Sequence, residues 1–350
     1  MTDGLSDRTD GAISDRGWAP LALFIYNRPD HTRRMITSLQ GCAGFAESLV
    51  YVFADGPRQS QDMPAIQEAR NEARRLLGSH AVYLERDTNL GVDNSIIAGV
   101  TQLCAQHGRV VVIEDDLVFS PYFLAFLNAG LRRYQDERRV MQVCAYMYDV
   151  PQFRYRRDAI FLPMTSSLGW ATWKRAWDQY DPEAVGWRDR LRDVRNRRRF
   201  DLDGHYQYGK MLSRHMRSGV PAWDIRWYYT VFFNDGLVLY PPRTLVVHTG
   251  FDGTGTHDRF SLPVHQAELE TSAIFDLPVQ VAEDPGKELV FEAAEKFRPT
   301  SFVRKGIALS KFILRRVVGT KVAASWSQKR RKADVKVGDK GDGRPAGGRR

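Results

Sequence analysis

Between residues 21 and 114 the chain alternates short apolar runs with longer amphipathic segments, and each run ends in a polar turn. The runs cover 21–26, 49–54 and 81–84, and a fourth closes on Val111, Val112 and Ile113. The first intervening segment carries Met35, Ile36 and Leu39 on a helical stripe, and the others span 61–78 and about 93–107. Strands separated by helices of this length cannot pair as hairpins and must cross over, which makes them parallel. Right-handed crossovers then place the helices over the faces of one sheet. The expected fold class is therefore α/β, a Rossmann-type, mostly parallel sheet flanked by helices.

The fourth run leads directly into Glu114, Asp115 and Asp116. Three adjacent carboxylates at a strand's carboxyl end repel one another and resist burial, so something must offset that cost. A divalent cation and donors from a polar ligand would do so; an exposed acidic turn is the other reading of the triplet alone. In open α/β sheets ligands bind at the carboxyl ends of the strands, which draws attention to Asn27-Arg28-Pro29 and Asp55-Gly56-Pro57 as well. Asn27-Arg28-Pro29 stands where a glycine-rich dinucleotide loop would have to be, and no Walker A loop is present. That argues against a dehydrogenase or an ATPase.

Beyond the triplet, Ser120 and Pro121 read as the N-cap and first position of a helix over 121–137. A strand over 140–145 follows, then the segment Gly169-Trp170-Ala171-Thr172-Trp173 with Trp177 shortly after. Tryptophans beside a glycine suggest a wall approached closely by a ligand. Their i, i+3, i+7 spacing equally suits a helix docking an aromatic stripe into the core. Residues 186–203 are arginine-rich and read as a solvated helix or linker. A helix over 206–217 stops at Gly219, and Asp224 then stands between Trp223 and Trp227. Strands at 237–240 and 245–247 lead into a glycine-rich loop, 248–257, with His248, Asp252 and His257, which reads as an ordered functional loop or lid.

The net charge of +9 is unevenly distributed: residues 304–350 hold 15 Lys or Arg against 3 Asp, a local +12, leaving about −3 on the first 303 residues. A nucleic-acid enzyme spreads positive charge through its body, so nucleic acid is not an expected partner. Three cysteines, an odd number without metal-ligand spacing, fit a reduced compartment. The polar N-terminal stretch has no signal-peptide core and no run reaches 18 apolar residues, so a cytoplasmic location is expected. Residues 302–318 interleave apolar and basic side chains, which suits an amphipathic helix lying on an anionic bilayer, with the basic tail adding attraction. The alternative is a helix packed on the body before a solubilising tail.

Taken together, the strand-end acids, the Leu168-Gly169-Trp170 segment and the Trp223-Asp224 segment resemble a glycosyltransferase of the GT-A fold. More narrowly, they resemble bacterial relatives of N-acetylglucosaminyltransferase I. The resemblance covers about residues 20–260 and implies a nucleotide-sugar donor, usually UDP-linked, a Mn²⁺ or Mg²⁺ ion, and inversion at the anomeric carbon. Transferred by position, it makes Asp116 the metal ligand and sets Asp115 and Glu114 on the donor's ribose or sugar. It places Asn27, Arg28 and Asp55 near the nucleotide, and Asn89, Asp93 and Asn94 flanking the donor. Gly169 and Trp170 would line the pocket, and Asp224 would be the general base, with Asp252 the alternative. His248 or His257 would contact the diphosphate or the metal. Where better-known members carry two acids after the tryptophan, this chain has one, in Trp-Asp-Ile-Arg-Trp.

The resulting domain plan is a flexible leader (1–18) and a GT-A-like catalytic domain (19–300), with a donor half at about 19–120 and an acceptor half at about 121–270. A basic amphipathic helix (301–320) and a disordered basic tail (321–350) would follow, placing the protein on the inner face of the plasma membrane. The acceptor could be a glycan, a lipid-linked sugar or a protein. Two competing functions are a sugar-phosphate nucleotidyltransferase, whose glycine-rich phosphate loop is missing here, and a noncatalytic carbohydrate-binding protein using Trp170, Trp223 and Trp227 as stacking platforms.

Overall fold

The computed structural model describes residues 17–250, 268–271 and 275–296. Every described residue belongs to the unit that ends at Phe297. Asp252, His257 and the segment 301–350 lie outside the described residues.

Four parallel strands open the chain: β1 (Leu21–Ile25), β2 (Val50–Ala54), β3 (Ala81–Glu85) and β4 (Arg109–Glu114). Helices α1 (Pro29–Gln40), α2 (Met63–Leu77) and α3 (Val92–His107) connect them. Each helix starts and stops for a local reason. Pro29 occupies the first position of α1, where a missing N–H costs nothing. Gly108 closes α3 in the left-handed conformation, with φ of +74°. The strand order 3-2-1-4 means that the chain moves outward through β2 and β3, then returns to the other side of β1. Right-handed crossovers in opposite directions put α1 and α2 on one face and α3 on the other.

The second half extends the sheet. β5 (Leu117–Phe119), α4 (Phe123–Arg133), β6 (Val140–Cys144), β7 (Ile160–Leu162), β8 (Trp170–Trp173) and α5 (Lys174–Trp177) lead to an all-helical stretch. That stretch comprises α6 (Trp187–Arg192), α7 (Val194–Phe200), α8 (Tyr208–Ser218) and α9 (Trp223–Phe233). It is followed by β9 (Leu237–Tyr240), β10 (Val246–His248) and α10 (Lys287–Lys296). The eight-stranded sheet runs β3-β2-β1-β4-β8-β6-β9-β7, with β8 and β7 reversed, so six of its eight strands point the same way. β5 and β10 form a separate antiparallel pair. The expected mostly parallel sheet with flanking helices is present.

Two local expectations differ, and the Trp223–Phe233 stretch adds a helix that its composition does not predict. The helix after the acidic triplet begins at Phe123 rather than Pro121. Ser120 is tied into extended pairing by its N–H to the Leu245 carbonyl (2.9 Å), and its own carbonyl accepts from Phe123 N, so a turn precedes the helix. The 170–173 segment is a strand, not a helix: Trp170 pairs opposite Val112 and Cys144, wedged between β4 and β6. Conversely, Trp223–Phe233 is helical despite its aromatic and β-branched composition. Burial of Trp223, Trp227, Tyr228 and Val231 overrides weak propensity there.

An aromatic cluster welds α5 and α9 to the sheet. Trp170, Trp177 and Trp227 lie with ring centroids 5.1–6.3 Å apart, and Trp177 stacks on Tyr180 at 4.6 Å. Two of the three indole N–H groups find acceptors: Trp177 donates to Thr101 Oγ1 (2.9 Å) and Trp227 to the buried Gln142 Oε1 (2.7 Å), while the buried Trp170 N–H has no hydrogen-bond partner among the described residues. Trp227→Ala should therefore destabilise the fold by about 3–5 kcal/mol in denaturant unfolding, losing packing and orphaning Gln142. Trp227→Phe, which keeps most of the ring, should cost clearly less; equal losses would show that the cluster is not the weld.

Candidate active site

The strand order reverses between β1 and β4, the point at which open α/β sheets bind ligands in a crevice outside the strands' carboxyl ends. Arg28 enters it from the β1–α1 turn. Pro29 keeps Arg28 out of the helix, at φ −121° and ψ 77°. Its guanidinium bonds Asp115 Oδ1 and donates to Asp116 Oδ2 at 2.9 Å, so two members of the triplet share one cation.

The β5–β10 pair closes the other side. His248 stands opposite Leu117, and its Nε2 lies 3.2 Å from Asp116 Oδ2. Thr249 donates both its N–H (2.7 Å) and its hydroxyl (3.0 Å) to the Asp116 carbonyl. His31, buried in α1, places Nδ1 3.3 Å from the Thr249 hydroxyl. A Cβ at Gly250 would fall 2.6 Å from Asp116 Oδ2, so only glycine lets the backbone approach that carboxylate.

These contacts split the three acids. Burial pushes the Glu114 carboxyl well above its usual range, and the charges of Asp116 and Asp115 push it further. Burial raises Asp115 to about 6 against the pull of Arg28. Burial acts on Asp116 too, but the His248 hydrogen bond and charge and the Arg28 guanidinium outweigh it and hold the group at about 2. Asp116 is thus a fixed carboxylate, while Glu114 is disposed to carry a proton.

Asp224 occupies the first turn of α9, where the Ile225 N–H donates to its Oδ1 at 2.8 Å. Asp93 Oδ1 accepts from Trp223 N at 2.7 Å and so caps α9 from the start of α3. Burial raises the Asp224 pKa, opposed by the Ile225 N–H and assisted by Asp93. The charge of Asp224 adds a small upward push on the Glu114 carboxyl. Trp170 stacks on Trp223 at 5.2 Å and 17°.

The other expected residues divide by what they already hold. Asp55 accepts from the N–H groups of Gly56 (3.0 Å), Leu90 (2.8 Å) and Gly91 (2.9 Å), pinning the loop before α3 onto the end of β2. Asn89, in that loop, donates to the Gly56 carbonyl (2.9 Å), and Asn94, in the first turn of α3, donates to the Leu90 carbonyl (3.1 Å). The half-buried Asn27 side chain makes no hydrogen bond among the described residues. Gly169 and Trp170 are buried; Gly169, at φ +63°, has the Phe123 ring 2.8 Å from where a Cβ would be. Trp170, Trp223 and Trp227 are 0%, 5% and 1% exposed, so they offer no ring face on which a glycan could stack. That removes the observation behind the binding-module reading. Thr249, Gly250 and His31 were missed from sequence. Only the glycine richness of the 248–257 loop pointed toward the first two.

Among the described residues no group of three or more His, Cys, Asp or Glu is arranged to hold a metal ion. The Asp116 carboxylate nevertheless suits either Mn²⁺ or Mg²⁺, and the His248 imidazole beside it adds a nitrogen ligand that fits Mn²⁺ better than Mg²⁺. Such ions commonly take one or two protein ligands and complete their shell from substrate phosphates and water.

No protein-family model matches the sequence, and no curated protein matches it. Among solved structures, the chain is similar to GalNAc-T7 crystallised with UDP, GalNAc and Mn²⁺, at 10% identity over 67% of this chain and 44% of that one, with a TM-score of 0.42. It is also similar to S. aureus TarS, at 13% identity over 67% of this chain and 37% of that one, with a TM-score of 0.37. The chain spans less than half the length of either. Likenesses this distant add nothing to the residue-level chemistry.

The role of Asp55 is open to a direct check. Asp55→Ala leaves the Gly56, Leu90 and Gly91 N–H groups without their acceptor and should cost about 3 kcal/mol in chemical unfolding. Asp55→Asn keeps an acceptor oxygen and should recover part of that loss; an unaffected Asp55→Ala would mean that the loop holds itself.

Proposed function

We propose that the protein is a metal-dependent, inverting glycosyltransferase. It moves a sugar from a nucleotide-sugar, UDP-linked by the sequence resemblance, to a hydroxyl of a glycan, lipid-linked or protein acceptor. The observation that carries this reading is the division of acids around one crevice. Asp116 is held ionised between Arg28 and His248, while Asp224 is held apart from it on α9 with a raised pKa.

In this scheme the diphosphate lies against Arg28 and His248, at the switch point between β1 and β4. Bound Mn²⁺ or Mg²⁺, held by Asp116 and His248, would neutralise charge on the departing diphosphate. Glu114, protonated or shared, hydrogen-bonds a hydroxyl of the donor sugar. The acceptor hydroxyl oxygen attacks the anomeric carbon from the side opposite the leaving group and forms the new C–O bond. The old C–O bond breaks with its electrons passing to the diphosphate, and Asp224 takes the hydroxyl proton. Burial of Asp224 supports this role, because it makes the carboxylate a stronger base than an exposed aspartate. Nucleotidyl transfer would use the same crevice but gives Asp224 no task.

The metal pair is tested by Asp116→Asn, which should lower kcat/KM by roughly 10²-fold or more across a Mn²⁺ titration while leaving the melting temperature near wild type. Near-normal kinetics with unchanged metal dependence would sink the assignment.

The base is tested by pH. Asp224 works deprotonated and its pKa is raised, so kcat/KM should climb with pH through a midpoint above that of an ordinary aspartate. Asp224→Asn should keep donor affinity and lose ~10²- to 10⁴-fold in turnover, together with that acidic limb. If Asp224→Asn turns over normally and Asp252→Asn does not, the base lies in the 248–257 loop.

A further inference from the structure

The arginine-rich segment forms α6 and α7, and sugar transfer makes no use of its chemistry. Seven arginines lie between residues 188 and 199, all exposed, against Asp189 and Asp193, a local charge of +5. The first 303 residues together carry about −3, so this face stands apart from the body. Leu191 and Phe200, 8% and 0% exposed, anchor the two helices inward. Outward, Val185 and Val194 are 69% and 67% exposed among the arginines. The Arg188 guanidinium lies 4.9 Å from the half-buried Trp187 ring centroid.

Arg190 lies over the Tyr229 and Phe233 rings and Arg199 over Phe232, at 4.9–5.6 Å, and the ion pairs of the segment are weak ones. Arg192 meets Asp189 at 3.1 Å with both side chains 80% exposed, and Arg198 meets Asp203 at 3.9 Å. Arg199 meets Glu283 at 3.5 Å. Exposed pairs of this kind contribute little and yield readily to a denser array of anions. The Asp193 carboxylate is occupied as the cap of α7, accepting from the Arg195 and Asn196 N–H groups. Arg195 and Arg197 make no ion pair among the described residues.

We propose that the α6–α7 face docks on an anionic phospholipid bilayer, with guanidinium groups on lipid phosphates and Val185 and Val194 at the acyl boundary. Arginine forks match phosphate oxygens, and exposed valines between them gain from an apolar medium that a soluble polyanion does not offer. The face is rigidly coupled to the crevice. Tyr228 and Tyr229 on α9 donate to the Phe200 and Val185 carbonyls at 2.9 and 2.7 Å, and the same helix begins at Asp224's turn. Docking therefore fixes the orientation of the crevice to the membrane. The proposal is independent of the transfer reaction.

The test uses the full chain, labelled with an environment-sensitive fluorophore at Val194→Cys. Cys42, Cys104 and Cys144 are buried and leave the label selective. On vesicles of mixed phosphatidylglycerol and phosphatidylcholine, the label should shift to the blue and become shielded from iodide. A label at Val82→Cys, on the far edge strand, should stay in water. Val185→Cys repeats the measurement should Val194→Cys fold poorly. Arg195→Glu/Arg198→Glu should weaken vesicle binding at physiological salt by ~10-fold or more, with unchanged circular dichroism. A Val194→Cys label that stays aqueous while the protein floats with vesicles would assign binding to the basic tail and overturn the proposal. So would absence of binding at low salt, or heparin binding without label insertion.

Discussion

One guanidinium joins the two strand ends on which the crevice depends. Arg28 reaches from the end of β1 to Asp115 and Asp116 at the end of β4. Without it, three carboxylates would crowd the end of a buried strand with much less compensating charge. The cost of burying those acids is visible in Glu114 and Asp115, whose pKa values burial drives upward. Asp116 escapes because His248 and Arg28 both face its Oδ2. A site that separates one permanently ionised acid from neighbours near neutrality can hold charge and move protons at once.

The rest of the architecture serves to bring distant segments to that point. β5 and β10 pair over three residues, and Thr249 fastens the end of that pair to the Asp116 carbonyl. α9 arrives from the opposite direction, positioned by the tryptophan cluster below and by Asp93 at its amino end. The tryptophans therefore act at a distance. They set where Asp224 sits instead of touching a sugar.

Much of the sheet was legible because strand–helix repetition has few physical solutions. Short apolar runs separated by amphipathic helices favour parallel pairing, and the polar turn after each run marks the ligand edge. The tryptophan segment was less legible, since its i, i+3, i+7 spacing suits a helix while its position between β4 and β6 makes it a strand. α9 was hidden for the converse reason: its residues have poor helix propensity and owe their conformation to burial. Asp55 illustrates a third limit. Its place after a strand suggested a ligand contact, yet three backbone N–H groups occupy it, and only their arrangement in space reveals that. His31 and Thr249 join elements 218 residues apart, a pairing that no local pattern encodes.

The most direct measurement is calorimetric titration of the full chain with UDP-, GDP- and CDP-sugars, with Mn²⁺ and with EDTA. If the crevice between β1 and β4 binds a nucleotide diphosphate, at least one donor should bind, more tightly with metal, and Arg28→Ala should weaken it strongly. A folded protein that binds none of these donors in either condition would contradict the assignment.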